Sequence, residues 1–263
     1  DTALPPLVER SPWGVRWRPR PAAPLRLFCV PHAGGGAGAY RLWAHRFPPD
    51  IEVVAIRLPG RETRHREAPL ARLDPIVTGL LAGLRPWLDR PYAWFGHSMG
   101  ALIAYEASRR AAAAGLPPPV RLLVSGRVAP HMTIPDPPVH AAPLPALLRR
   151  LRELGGTPPE VLEDPAMLRA LLPTVQADFA VAETYHWGPG PLAPCPLSVF
   201  GGTGDRYASS RAELVEWARH TAGECVVRLF PGGHFFLHEP DQPLLTPIAG
   251  DLRRAAAGAE PRR

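Results

Sequence analysis

A serine at a glycine-flanked turn is the first candidate for chemistry. Ser98 lies in Gly96-His-Ser-Met-Gly100, a G-x-S-x-G pattern between an apolar run and an alanine-rich, helix-like stretch. With seven serines and 24 glycines among 263 residues, chance alone gives roughly 0.06 such patterns. The glycines suit a sharp strand-to-helix turn, because side chains there would collide with neighbouring backbone. We therefore predict that Ser98 is a nucleophile.

His234 is the predicted general base. A serine hydroxyl is a poor nucleophile at neutral pH and needs a base within hydrogen-bond reach. His234 comes shortly after an apolar run that ends at Leu229, and the two glycines before it let the backbone approach the serine turn closely. His238 is the alternative, four residues further on, where the final helix is expected to begin.

Asp205 is the predicted residue that orients the histidine. It ends the segment Gly201-Gly-Thr-Gly-Asp205 directly after an apolar run, so its carboxylate is expected at the same sheet edge as Ser98. Asp136, in a proline-rich stretch, and Asp178, in a helix-like stretch, are the alternatives. Each of these two is expected at the surface or at a hinge, because single acidic residues are mostly solvated.

Two backbone N–H groups are candidates for stabilising a tetrahedral intermediate. Met99 begins the predicted helix after the serine, and Ala33 lies in the glycine-rich loop Pro31-His-Ala-Gly-Gly-Gly36. This loop has neither G-x-G-x-x-G nor G-x-x-x-x-G-K-[ST], which argues against a nucleotide-phosphate site. His32 and His97 flank the serine in this arrangement and are interpreted as hydrogen-bonded wall residues rather than second bases.

These residues need a scaffold, and apolar runs alternate with helix-length segments along most of the chain. The predicted strands are 25–30, 51–56, 92–95, 121–125, 197–200 and 224–229, and the helices between them include 73–88, 99–114 and 209–220. The alternation predicts a mainly parallel sheet with helices on both faces.

The alternation fails over residues 127–187. Helix-like segments at 144–154, 164–172 and 174–185 follow a proline-rich stretch at 130–145, and no convincing strand interrupts them. We predict a helical lid at 127–187, inserted into a core made of residues 1–126 and 188–263.

Composition restricts the function classes further. The net charge is +6 and all 30 basic residues are arginine, a bias that coding preference alone can produce, so we do not predict a nucleic-acid partner. The three cysteines, Cys29, Cys195 and Cys225, form neither a C-x-x-C pair nor a metal-ligand spacing, which fits a reducing cytoplasm and no metal site. With no leader pattern and no apolar run of membrane length, we expect a soluble cytoplasmic protein without a membrane partner.

The chain resembles the type II thioesterases, the stand-alone editing hydrolases that accompany polyketide synthases and nonribosomal peptide synthetases. The tail after the predicted acid departs from the family pattern, because Arg206-Tyr-Ala-Ser stands where a proline and apolar residues are expected. The stretches that carry the resemblance are Pro31-His-Ala-Gly-Gly-Gly36, Arg57-Leu-Pro-Gly-Arg61 with Arg64, Gly96-His-Ser-Met-Gly100, Gly201-Gly-Thr-Gly-Asp205 followed by Gly233-His234-Phe-Phe236, and, in the lid, Gln176-Ala-Asp-Phe179 leading to Glu183-Thr-Tyr185.

The resemblance implies an α/β-hydrolase fold and a serine mechanism that passes through an acyl-enzyme. It also implies a substrate acyl group on the phosphopantetheine arm of an acyl or peptidyl carrier protein, with no cofactor of the enzyme's own, and we expect a monomer. The candidate residues of the channel and lid are Phe179 and Phe235 together with His32, His97 and Asp178. Carrier proteins are acidic, so the candidate docking residues are Arg61, Arg64, Arg149 and Arg150.

Three other functions are compatible with the same residues. A carboxylesterase acting on small oxygen esters would use the same triad without a carrier protein. An excised terminal thioesterase domain would cyclise its product, although the chain starts close to its first strand without a carrier-like segment, which favours a stand-alone protein. A non-catalytic binding module is disfavoured because all three triad positions are filled.

Overall fold

The computed structural model describes residues 11–134, 136–238 and 244–259. Its centre is a sheet whose strands, in chain order, are β1 (Gly14–Val15), β2 (Leu25–Val30), β3 (Ile51–Ile56), β4 (Tyr92–His97), β5 (Arg121–Ser125), β6 (Leu197–Gly202) and β7 (Cys225–Phe230). Their order across the sheet is β1-β3-β2-β4-β5-β6-β7. The short edge strand β1 is antiparallel to β3, and the other neighbouring strands are parallel.

The strands form where continuous apolar runs are covered on both faces. Every residue of β2 to β6 is buried, as expected for parallel strands with helices on each side. All six predicted strands are present, and the bounds of β2, β3 and β5 agree with the prediction. The prediction did not include β1, because two residues are too few to show an alternating pattern.

Helices cover both faces of the sheet. Successive residues of β4 point to opposite faces, so Trp94 belongs to one apolar cluster and Phe95 to the other. The first cluster includes residues of α2 and α3, and the second includes residues of α1 and α8. The helices are α1 (Arg41–Arg46), α2 (Leu73–Leu84), α3 (Met99–Arg110), α4 (Leu144–Leu154), α5 (Pro159–Glu163), α6 (Pro165–Glu183), α7 (Arg211–Leu214) and α8 (Leu245–Ala259).

Residues 127–187 hold α4, α5 and α6, together with a small apolar cluster of their own that includes Leu147, Leu151 and Phe179. Two helices were predicted at 164–172 and 174–185, but α6 runs through Pro173 as one helix. Proline removes one hydrogen bond from a helix interior, and here the packing of α6 outweighs that loss. That this segment acts as a lid stays a prediction.

Within the part of the chain that the structure describes, no helix is long and apolar enough to cross a bilayer. All three cysteines are free thiols.

Candidate active site

Ser98 sits in a strained turn between β4 and α3. Its backbone has φ 56° and ψ −115°, a conformation that side chains rarely adopt and that costs about 1–3 kcal/mol. A Cβ added at Gly96 would lie 2.0 Å from the Gly100 carbonyl oxygen, and one added at Gly100 would lie 2.4 Å from the Val30 carbonyl oxygen. Both glycines of the G-x-S-x-G pattern are therefore required by backbone contacts.

His234 and Asp205 meet at the carboxyl ends of β7 and β6. Nδ1 of His234 lies 3.1 Å from Oδ1 and 3.0 Å from Oδ2 of Asp205, and both side chains are buried. The backbone N–H of Tyr207 donates to Asp205 Oδ1 at 2.9 Å. With Nδ1–H directed at the carboxylate, Nε2 is the basic nitrogen of the imidazole. His234 and Ser98 line the same cavity.

The alternative base and acids have other partners. The ring of His238 stacks on Phe235, with centroids 6.1 Å apart. The carboxylate of Asp136 accepts hydrogen bonds from the Tyr207 hydroxyl at 2.5 Å and from the Arg206 guanidinium at 2.7 Å. Asp178 is paired with an arginine, as described below. Of the candidate carboxylates, Asp205 is thus the one that the structure brings to His234.

Two neutral histidines surround His234. His97 is fully buried, its Nδ1 lies 3.1 Å from the Ser125 hydroxyl, and its ring centroid is 4.9 Å from that of His234. Burial lowers the pKa of His97 far below its ordinary value. Burial, together with the nearby His238 and His234, lowers the pKa of His32 to about 3. Neither of these two neighbours therefore carries a positive charge at neutral pH.

The predicted oxyanion donors lie on two neighbouring elements. The Gly35 N–H donates to the His32 carbonyl at 3.0 Å, and Gly34 has φ +76°, so residues 32–35 form a β-turn that needs glycine at its third position. Ala33 is the second residue of this turn. Met99 is the first residue of α3, where backbone N–H groups have no partner within the helix. Both residues line the cavity beside Ser98.

The cavity has a volume of about 480 Å³, which is within the range of small-molecule sites. The sheet loops supply one wall, and residues 127–187 supply another, which includes Phe179, Tyr185 and Trp187. Of the predicted channel residues, His32, Phe179 and Phe235 line the cavity. The described lining residues include neither His97 nor Asp178, which are both fully buried behind it.

Two of the four predicted docking arginines are not at the surface. Arg61 is buried against Asp178, and Arg64 is buried between Glu67 and the ring of Trp13, whose centroid lies 4.5 Å from the guanidinium carbon. Both were expected to be solvated, as most charged residues are. Arg150 lines the cavity and Arg149 is exposed. Among the described residues, no group of three or more histidine, cysteine or acidic side chains is placed to hold a metal ion.

Comparison with known proteins identifies the family. A model of the thioesterase domain matches residues 25–255. The chain belongs to the thioesterase domain family. This thioesterase is 40% identical over 251 residues to the gramicidin S biosynthesis protein GrsT of Aneurinibacillus migulanus, covering 95% of this chain and 98% of GrsT.

Solved structures agree with this assignment. This thioesterase is similar to the type II thioesterase BorB from the borrelidin biosynthetic cluster, with a TM-score of 0.83, 38% identity and coverage of 92% of this chain and 98% of BorB. RedJ, a thioesterase from the prodiginine pathway of Streptomyces coelicolor, gives a TM-score of 0.81 and 36% identity, covering 88% and 86% of the two chains. The predicted α/β-hydrolase fold and the predicted resemblance to type II thioesterases are both confirmed.

Proposed function

We propose that this thioesterase hydrolyses acyl groups from the phosphopantetheine arm of an acyl or peptidyl carrier protein, and so removes aberrant acyl units from a polyketide or peptide assembly line. One observation carries the mechanism: Ser98, strained at the start of α3, shares a cavity with a histidine whose Nδ1 is bonded to a buried carboxylate. The substrate class is supported by the similarity to BorB and RedJ, thioesterases of biosynthetic pathways.

In the first half-reaction, Ser98 Oγ attacks the thioester carbonyl carbon while His234 Nε2 accepts the serine proton. The carbonyl oxygen becomes an oxyanion, which the N–H groups of Ala33 and Met99 stabilise. Collapse of the intermediate breaks the carbon–sulfur bond. His234 then gives its proton to the departing thiolate, which leaves the carrier protein with a free pantetheine thiol and the acyl group on Ser98.

In the second half-reaction, a water molecule attacks the acyl-enzyme and His234 accepts a proton from it. The same proton returns to Ser98 Oγ when the ester bond breaks, and the product is a carboxylic acid. Asp205 stays ionised throughout, since its role is to hold the Nδ1–H tautomer and to stabilise the imidazolium.

Residues 127–187 act in this proposal as a lid that admits the acyl arm. Arg206 and Tyr207, which depart from the family pattern, bind Asp136 of the lid and thereby join the lid to the loop of the catalytic acid. Arg150 lies 3.4 Å from the same carboxylate. For carrier docking, Arg149 on α4 is the exposed member of the four predicted arginines.

The test compares hydrolysis of one short acyl group from three donors: a carrier protein, free pantetheine and a p-nitrophenyl ester. We expect kcat/KM to be highest on the carrier protein and Ser98→Ala to abolish turnover on all three. Covalent labelling of Ser98 by a fluorophosphonate should be lost in the same variant. Equal or faster turnover of the free ester would support the carboxylesterase instead, and a failure of Ser98 to acylate would support a binding module.

A further inference from the structure

Two sequence motifs that the proposed triad does not use meet at the oxyanion turn, which is the β-turn of residues 32–35 that contains Ala33. Arg61 ends the Arg57-Leu-Pro-Gly-Arg61 segment, and Asp178 belongs to the lid helix α6. Arg61 Nη1 donates to Asp178 Oδ2 and Nη2 donates to Oδ1, both at 2.7 Å, so the pair is bidentate. Asp178 has no exposed surface and Arg61 is 8% exposed. Asp178 was predicted as a residue of the channel or lid and Arg61 as a docking residue, but their pairing was not predicted.

Both members of the pair also bind the turn itself. The Gly34 N–H donates to Asp178 Oδ2 at 2.7 Å, and Arg61 Nη1 donates to the Gly35 carbonyl at 2.7 Å. The carboxylate therefore holds the peptide that joins Ala33 to Gly34, and the guanidinium holds the peptide that joins Gly35 to Gly36. Because a peptide is planar, fixing the Gly34 N–H fixes the plane from the Ala33 Cα to the Gly34 Cα. The Ala33 N–H lies in the preceding peptide, whose His32 carbonyl accepts a hydrogen bond from the Gly35 N–H at 3.0 Å, so this bond of the turn links the Ala33 N–H to the two residues held by Asp178 and Arg61.

A second contact joins α6 to the segment that contains Arg61. Thr174 lies one helical turn before Asp178 on α6, and its hydroxyl donates to the Gly60 carbonyl at 2.9 Å, next to Arg61. Glu62, on the other side of Arg61, accepts hydrogen bonds from the N–H groups of residues 37 and 38, directly after the glycine-rich loop. The segment around Arg61 thus binds the second half of the loop and the residues directly after it, and α6 binds that segment.

We propose that Asp178 and Arg61 are positioning residues that hold the oxyanion turn in its working geometry and so make the N–H alignment of Ala33 depend on the seating of α6. A buried ion pair is on its own weak support for stability, because desolvation offsets most of the attraction. Here its four short hydrogen bonds close a ring around the turn that carries a predicted oxyanion donor. The inference rests on the proposed function, because Ala33 matters only if Ser98 acylates.

The test measures turnover per active site in Asp178→Asn and Arg61→Lys. The first variant removes the charge of the carboxylate, and the second keeps a cation but loses the bidentate fork. An N–H displaced by roughly 1 Å costs about 100-fold in rate, so we expect kcat on a p-nitrophenyl ester to fall about 30- to 100-fold with KM changed less than about threefold. A boronic acid that forms a tetrahedral adduct with Ser98 should bind more weakly by the same factor.

Rates are divided by the concentration of sites that a fluorophosphonate labels at completion, so that partial unfolding lowers the site count and not the rate per site. Asp251→Asn is the matched control. Asp251 lies on α8, is fully buried and is not among the described residues that line the cavity. Like Asp178, it forms a bidentate pair with an arginine, because Arg228 donates to its two carboxylate oxygens at 2.7 and 2.9 Å. We expect this control to reduce stability while kcat per site stays within about twofold of wild type.

Asp178 and Arg61 together form the clamp on the turn. Turnover per labelled site within about threefold of wild type in both clamp variants, Asp178→Asn and Arg61→Lys, would overturn the proposal, and so would an equal loss in Asp251→Asn. A simple ester is used so that the outcome does not depend on the identity of the carrier. If the wild-type enzyme prefers free esters, the carrier-protein assignment fails, but the ester assay still tests the positioning role of Asp178 and Arg61. If the wild-type enzyme neither labels nor turns over, the proposed function fails and the clamp fails with it.

Discussion

Gly100→Ala is the substitution that tests most directly how the serine turn and the oxyanion turn depend on each other. The added Cβ would lie 2.4 Å from the carbonyl oxygen of Val30 and 2.7 Å from that of Pro31. Both neighbours are backbone atoms and cannot rotate away as a side chain could. Val30 ends β2, and Pro31 leads directly into the turn that contains Ala33. Any relief of the clash therefore moves an oxyanion donor.

The size of the effect follows from these distances. Real Cβ contacts lie beyond 3.0 Å, so the closest contact must open from 2.4 Å by at least about 0.6 Å. A misplacement of 1 Å costs about 100-fold in rate, which leads us to expect a kcat about 10- to 100-fold lower, or roughly 1.4–2.7 kcal/mol of transition-state stabilisation. Overpacking by one methyl group costs about 1–3 kcal/mol of folding free energy, or roughly 2–12 °C in Tm for a chain of this size.

The assay is steady-state hydrolysis of a short-chain p-nitrophenyl ester, with rates divided by the concentration of fluorophosphonate-labelled sites, together with thermal unfolding. Gly258→Ala on α8 is the control, because an added Cβ there meets nothing within 4 Å and alanine favours the helix. It should raise Tm slightly and leave kcat unchanged. A folded Gly100→Ala enzyme with kcat within twofold of wild type would refute the coupling between the two turns.

Three further results are expected. Asp205→Asn should lower kcat about 10⁴-fold, since an amide cannot stabilise the imidazolium, whereas Asp136→Asn should stay within about threefold on a small ester; equal losses would contradict the assignment of the acid. Asp136→Asn should instead raise the rate of amide hydrogen exchange in α4 by up to about fivefold. Its partner Arg206 is half exposed, so the ion pair contributes about 1 kcal/mol or less. Unchanged exchange would argue against a stabilising link between Asp136 and the loop of Asp205. The free energy of unfolding should fall as the pH drops below about 6.5. In the unfolded chain His32 and His97 bind protons in this range, whereas in the folded protein both pKa values are lowered, that of His32 to about 3, so the rings stay neutral. Urea unfolding should show a loss of roughly 2 kcal/mol per histidine between pH 7 and 5, and a smaller loss in His32→Gln; an equal loss in wild type and His32→Gln would contradict a neutral His32 in the fold.

The scaffold, and the position of the proposed triad residues at one sheet edge, could be predicted because each depends on a local pattern. Buried parallel strands appear as continuous apolar runs, and their carboxyl ends meet at one sheet edge, so the residues that follow β4, β6 and β7 converge without knowledge of any contact. The same local reasoning was wrong at Pro173, which was taken as a break between two helices. Val175 and Phe179, on either side of Asp178, are buried in the apolar cluster of residues 127–187, and this packing holds the helix through the proline.

The clamp could not be predicted by these rules, since its two members are 117 residues apart and charged residues are normally solvated. A signal was nevertheless present on α6. Asp178 lies one helical turn from Val175 on one side and from Val181 on the other, so it stands on the apolar face of its helix. A carboxylate on such a face needs a buried cation or several N–H donors, because an isolated buried charge is too costly to keep.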